Sequence, residues 1–193
     1  MHKKWISFFS QTGTEILDIS RKINYFPDVV VTNNKFKNIN PSLLDFYKES
    51  ETKTLILVDD VDSSTYTRIF ESNQGSNALI TLNGWLKIIP ADICEQYTIY
   101  NGHPGIISLY KDLKGKDPVE RVWENYHMYD YAGCVIHKVI PEIDEGEIIS
   151  EKRFPLADGY GKDLYKDFDS LNDSIRRNSL GLWVDFIRNN III

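Results

Sequence analysis

The sequence is poor in cysteine. Cys94 and Cys134 are the only two in 193 residues. They form no C-x-x-C pair and sit in apolar runs, which excludes a disulfide framework or a thiolate metal centre and predicts two buried thiols. No apolar run approaches the ~20 residues of a membrane span. The stretch after the basic start Met1–Trp5 is broken by Ser10-Gln11-Thr12-Gly13, too early for the apolar core of a signal peptide. A cytoplasmic chain with no membrane partner is expected. Positive charge is also scarce: 22 Lys and Arg against 28 Asp and Glu give a net charge of -6. With no basic tract and no basic-aromatic interleaving, no nucleic-acid partner is expected. Histidines and cysteines show no ligand spacing. Asp59, Asp60 and Asp62 lack the glycine and the final glutamate of a calcium loop, so no metal is expected and a solvated or helix-capping role is assigned to them. Internal repeats and low-complexity segments are absent as well.

What remains is ordinary globular composition, 42% apolar and 26% charged, in a length that fits one domain over residues 1–193. Trp5–Ser10 reads as a first strand buried on both faces. Gln11–Glu15 follows as a turn, and Ile16, Ile19 and Ile23 at helical spacing predict a helix to about Asn24. A strand, a glycine-containing turn and a helix can aim backbone N–H groups at an anion. A plain turn with Thr12 or Thr14 as N-cap fits the same residues equally well. Further strands are predicted at Pro27–Thr32, Lys53–Val58 and Asn77–Leu82, with helices opening at Asn40-Pro41-Ser42 and spanning Thr65–Ser72 between them. After Asn83-Gly84-Trp85, the non-helical run Leu86–Pro90 suits the wall of a pocket for a flat ring, or a buried connection.

The apolar run Tyr97–Tyr100 leads into Asn101-Gly102-His103-Pro104-Gly105. Gly102, Pro104 and Gly105 predict that the strand stops here, and Asn101 and His103, two apart, project to one side. Asp117 is expected to cap a helix starting at Pro118. Tyr131–Val139 and Glu147–Phe154 then read as an antiparallel pair around the acidic turn Pro141–Gly146. Ser170 or Asn172 is expected to cap a final helix bearing Leu171, Ile175, Leu182, Phe186 and Ile187 on one face. The pattern predicts an open, mostly parallel α/β sheet, Rossmann-like, with helices on both faces and an antiparallel pair near the C-terminus, its site at the carboxyl ends of the strands. An amide donor, an imidazole and a later carboxylate are the parts of an acyl-transfer site; a strand cap and an acidic turn are the plainer reading of the same three residues.

Three segments in order resemble the folate-dependent formyltransferases, most of all the branch that formylates glycinamide ribonucleotide. Asn101-Gly102-His103-Pro104 matches that family's Asn-x-His-Pro, Ile143-Asp144-Glu145-Gly146 its acidic turn, and Leu82–Pro90 its folate-binding wall. His137 also fits the pattern, and the resemblance runs from about Trp5 to Phe154. It implies formyl transfer from 10-formyltetrahydrofolate to a primary amine in purine biosynthesis. Asn101 and His103 would polarise the formyl oxygen and stabilise the oxyanion, and Asp144 would pair with His103 and help manage protons. Because a close carboxylate favours imidazolium, Asp144 is also expected to keep His103 charged or nearly so. Leu86, Lys87, Ile88, Ile89, Ile140, Pro141 and Glu142 would hold the pterin, and Thr12, Gly13, Thr14 and Glu15 the acceptor. His137 would support the acidic loop. Where the family has Ser-Gly-x-Gly-Ser-Asn for phosphate, this chain has Ser10-Gln11-Thr12-Gly13-Thr14-Glu15. An amino-sugar-nucleotide formyltransferase and a 10-formyltetrahydrofolate hydrolase are the alternatives. A monomer or a homodimer is expected.

Overall fold

The computed structural model describes residues 3–59 and 61–191. Met1, His2 and Asp60, the last expected in the solvated acidic loop, lie outside the described residues, as do Ile192 and Ile193. Seven strands form one sheet: β1 (Trp5–Phe9), β2 (Val29–Thr32), β3 (Thr54–Leu57), β4 (Leu79–Leu82), β5 (Ile99–His103), β6 (Tyr131–Lys138) and β7 (Ile148–Pro155). Their order is β3-β2-β1-β4-β5-β6-β7. The first five run parallel, and β6 lies antiparallel to both β5 and β7. The helices are α1 (Thr14–Ile23), α2 (Pro41–Glu49), α3 (Ser63–Ser72), α4 (Ala91–Gln96), α5 (Pro118–Glu124) and α6 (Phe168–Ile191). Among the described residues no helix is long and apolar enough to cross a membrane.

Alternation along β1 shows how the layers form. Ile6 and Phe8 face a core with Tyr66, Phe70, Trp85 and Ile93, from α3, α4 and the segment before α4. Trp5 points the other way, into a cluster with Ile19, Leu182, Trp183 and Ile187 of α1 and α6. Such two-sided burial is why the parallel strands read as continuous apolar runs. Both cysteines are buried thiols, as expected.

Several local expectations are corrected. The strand through Tyr100 does not stop at Gly102 but continues to His103. Gly102 is there for space: a Cβ would lie 2.6 Å from the Trp183 indole nitrogen, so only glycine lets α6 pack on β5. The N-cap of α1 is Gly13, at φ +75, rather than Thr12 or Thr14, whose hydroxyls bond each other. Asp117 is the N-cap residue of the helix that starts at Pro118, as expected, but in a left-handed conformation at φ 52 its side chain makes no capping hydrogen bond. The final helix begins at Phe168, before Ser170 and Asn172, and the Asp167 carboxylate accepts the Ser170 N–H at 2.7 Å. The Asp62 cap held: its carboxylate accepts the Thr65 N–H at 2.8 Å.

Candidate active site

In the strand order, β1 leads to β2 on one side and β4 follows it on the other. Chains leaving these two strands diverge, and a crevice opens at their carboxyl ends. Here it is a cleft of about 1410 Å³. Ser10, just past β1, clamps its rim by donating its N–H to the Gly84 carbonyl at 3.0 Å and accepting the Leu86 N–H at 2.9 Å. All three groups of expected residues line this cleft. They are Asn101, His103 and Asp144; Leu86–Ile89 with Ile140–Glu142; and Thr12–Glu15. Leu86 and Ile88 stand exposed, whereas Ile89 is buried among Trp85 and Ile93. The first of these segments and the 140–142 turn share a side, because Val139 packs on the same core as Ile89. Glu15 belongs to the opposite side of the sheet, under α6.

The antiparallel pairing of β5 with β6 builds the centre. Asn101 pairs with His137 across the ladder, and the register slips between Ile136 and His137. A bulge of this kind re-aims a side chain beside a site. The Asn101 amide donates to His137 Nε2 at 3.2 Å, and His137 Nδ1 lies 3.0 Å from the Lys138 carbonyl, so Nδ1 carries the proton when the ring is neutral. Asp144, at φ 55, reaches back from its turn to sit between two imidazoles. Its Oδ2 is 3.4 Å from His103 Nδ1 and its Oδ1 is 3.3 Å from His137 Nε2. Oδ2 also accepts the Gly115 N–H at 2.8 Å.

His103 Nε2 lies 2.8 Å from the Leu113 carbonyl and must donate to it, which leaves Nδ1 facing Asp144. The loop that supplies the Leu113 carbonyl and the Gly115 N–H is pinned by Arg121, which donates to the Asp112, Lys114 and Lys116 carbonyls. Sequence reasoning missed this loop. Its contribution is backbone, and only the glycine of Lys114-Gly115-Lys116, here at φ +80, hinted at a special turn.

The expectation that Asp144 keeps His103 charged is overturned. Burial is the largest influence on the ring and pushes its pKa below the ordinary 6.5; Asp144 and the Leu113 carbonyl pull it back up without overcoming that. For Asp144, burial raises the pKa, but the two imidazoles beside it and the Gly115 N–H together outweigh it and leave the carboxyl below 3.8. An NMR titration of the imidazoles is therefore expected to show His103 as the Nε2–H tautomer with a midpoint below 6.5. The midpoint falls further in Asp144→Asn, since the carboxylate is what raises it. A midpoint above 6.5 in the native chain would contradict this account. The sign for stability follows. The unfolded ring takes its proton first, so the contribution of neutral His103 to stability is lost as pH falls below 6.5.

A second polar chain, invisible in the sequence, runs beneath the other end of the cleft. The Trp5 indole donates to Thr81 Oγ1 at 2.9 Å, and the Thr81 and Ser7 hydroxyls donate to Asn83 Oδ1 at 2.8 and 2.9 Å. This fixes the buried Asn83 amide so that its Nδ2 donates to Glu15 Oε2 at 3.3 Å. Ser179 of α6 donates to Oε1 at 3.3 Å. Burial raises the Glu15 pKa above 4.5, opposed by these two bonds and by the charge of Arg176.

A family model described as formyl transferase matches residues 60–175. Phosphoribosylglycinamide formyltransferase of Dictyostelium discoideum is 36% identical over 84 residues, which are 40% of this chain and 41% of that protein. The aligned part thus spans about two fifths of that relative. Among solved structures, glycinamide ribonucleotide transformylase 1 from Geobacillus kaustophilus superposes with a TM-score of 0.77 at 18% identity, covering 99% of this chain and 100% of the other. Phosphoribosylglycinamide formyltransferase from Campylobacter jejuni gives 0.76 at 20% identity, covering 98% and 97%. These two likenesses show the same fold, strand pair included.

Proposed function

The chain belongs to the formyl transferase family, and from that premise we propose that it transfers the formyl group of 10-formyltetrahydrofolate to the primary amine of a small acceptor, glycinamide ribonucleotide first among candidates. The observation that carries this is the meeting of Asn101, His103, His137 and Asp144 in one cleft that the 86–89 wall and the Thr12–Glu15 turn also line. The folate would lie on that wall and against the 140–142 turn, and the amine would enter from the α1–α6 side. One catalytic domain in the cytoplasm, working without a metal, is the setting this reading takes.

The amine nitrogen attacks the formyl carbon, and the carbonyl π pair moves to oxygen. The Asn101 amide has two N–H groups and spends one on His137, so the other is free for the growing oxyanion. His103 spends its one N–H on the Leu113 carbonyl, and its Nδ1 faces Asp144. His103 acts through charge: the proton shed by the attacking amine passes by way of Asp144 to Nδ1, and the imidazolium so formed stabilises the oxyanion. When the C–N10 bond breaks, the same proton returns through Asp144, flanked by two ring nitrogens, to N10.

Release of tetrahydrofolate from 10-formyltetrahydrofolate tests this directly. It is expected to require glycinamide ribonucleotide. Release with no amine present would make the protein a hydrolase, and binding of the folate with no release under either condition would remove this acceptor.

A further inference from the structure

The two walls at the acceptor end of the cleft differ in charge. From α1 come Glu15 and Asp18, and from α6 come Arg176 and Arg177 beside a single acid, Asp173. The α1 turn is poorly built to receive an anion. The Thr14 N–H bonds Thr12 Oγ1 at 3.3 Å, the Thr12 and Thr14 hydroxyls bond each other at 2.9 Å, and Asn40 donates to Thr14 Oγ1 at 3.1 Å. The Glu15 carboxyl, held by Asn83 and Ser179, occupies the first turn of the helix, where an anion would seat. Any anion there would meet that carboxyl, with no cation in the turn to offset it.

The α6 wall is the reverse. Ser179 touches Glu15, and Arg176 lies three residues earlier on the same helical face, next to it in space. Its charge is felt at Glu15, yet among the described residues its guanidinium makes no ion pair and no hydrogen bond. Lys87 belongs to the folate wall and Lys116 to the loop beside Asp144, which leaves Arg176 and Arg177 as the α6 cations of this cleft, and Arg176 is the one whose charge acts on Glu15. A guanidinium is suited to grip a phosphate with two N–H groups at once.

Resting on the formyl-transfer reading, we propose that Arg176 is the specificity-determining residue of the acceptor subsite and holds the phosphate of the acceptor from α6 in place of the α1 turn. Glu15 then faces the sugar and amine side of the acceptor, where its remaining lone pairs accept hydroxyl or ammonium donors.

Calorimetric titration of the whole chain with ribose 5-phosphate tests this without turnover. Binding is expected to weaken about tenfold or more in Arg176→Ala, in keeping with the loss of a charged hydrogen-bonding partner, and to recover in part in Arg176→Lys. Any response to ribose, which lacks the phosphate, is expected to be the same in all three proteins. Ribose 5-phosphate affinity within about twofold of native in Arg176→Ala, or no binding to the native chain, overturns the proposal. The functional reading fails separately. If ribose 5-phosphate binding depends on Arg176 but glycinamide ribonucleotide releases no tetrahydrofolate, the anion site stands and the acceptor assignment falls.

Discussion

Tetrahydrofolate release by Asn101→Ala is expected to be about 100- to 1,000-fold slower than by the native chain, with little change in the apparent affinity for folate. The magnitude is that of removing one donor aimed at an oxyanion. The size of the effect comes from Asn101 being the side chain in the centre with an N–H still to give. His137 takes one, and the single N–H of neutral His103 is spent on Leu113. Asn101 is half-buried on β5 and its own hydrogen bond is to another site residue, so the fold has little stake in it. A loss of rate with thermal unfolding unchanged is the expected pair of results. If rate fell less than about tenfold, the oxyanion donor would have to be sought elsewhere, and His103 after a ring rotation would be the next group to test.

The second large effect is expected at Gly146, a residue that touches no substrate. It is buried at the neck of the turn that carries Asp144, and a Cβ there would overlap the Lys138 carbonyl oxygen. The Lys138 N–H meanwhile bonds the Glu147 carbonyl at 2.9 Å, so the two strands are already at contact distance. Gly146→Ala must spread the neck and lift Asp144 from between His103 and His137. Misplacing a group by about 1 Å can cost about 100-fold in rate, and that is the loss expected in kcat. The overpacking itself should destabilise by about 1–3 kcal/mol, a fall in Tm of about 2–12 °C. Because Asp144 is one of the groups that raise the His103 pKa, the imidazole midpoint should drop with it. Native activity and native His103 titration in Gly146→Ala would mean that the turn finds its place without this neck.

Much of this was legible along the chain. Mostly apolar runs of four to five residues bounded by polar or turn residues marked the parallel strands, and two-sided burial explains why they read as continuous rather than alternating. The Asn101-Gly102-His103-Pro104 segment announced the site because polar side chains at a strand end have few structural reasons to be there. What failed failed for identifiable causes. Gly102 was taken for a strand terminator, since nothing near it in sequence reveals Trp183 pressing on its face. Thr12 and Thr14 looked like the cap of α1 by residue type, and Asp117 took its cap position without its side chain closing the bond, because capping depends on backbone angles. The charge on His103 was misjudged because a nearby carboxylate can be guessed from a motif while burial cannot. The Leu113 carbonyl and the Gly115 N–H leave no mark at all, as every residue carries both groups. Glu15 and Arg176 are 161 positions apart, and only the packing of α6 on α1 makes them neighbours.

That packing also bears on how the protein comes into being. Trp5 and Leu79 of the central strands, with Cys134 and Ile136 of β6, share one apolar cluster with Leu182, Trp183, Phe186 and Ile187 of α6. During synthesis the strands emerge first, and the face they present stays bare until α6 has been made. Exposed apolar sheet surface of this kind invites association with other chains. A chain lacking α6 would therefore display a sheet complete in its strands but open on one side, a natural client for chaperones. The same helix that shuts this face also brings Ser179 to the cleft, so the chain cannot finish the cleft before it has finished hiding its core.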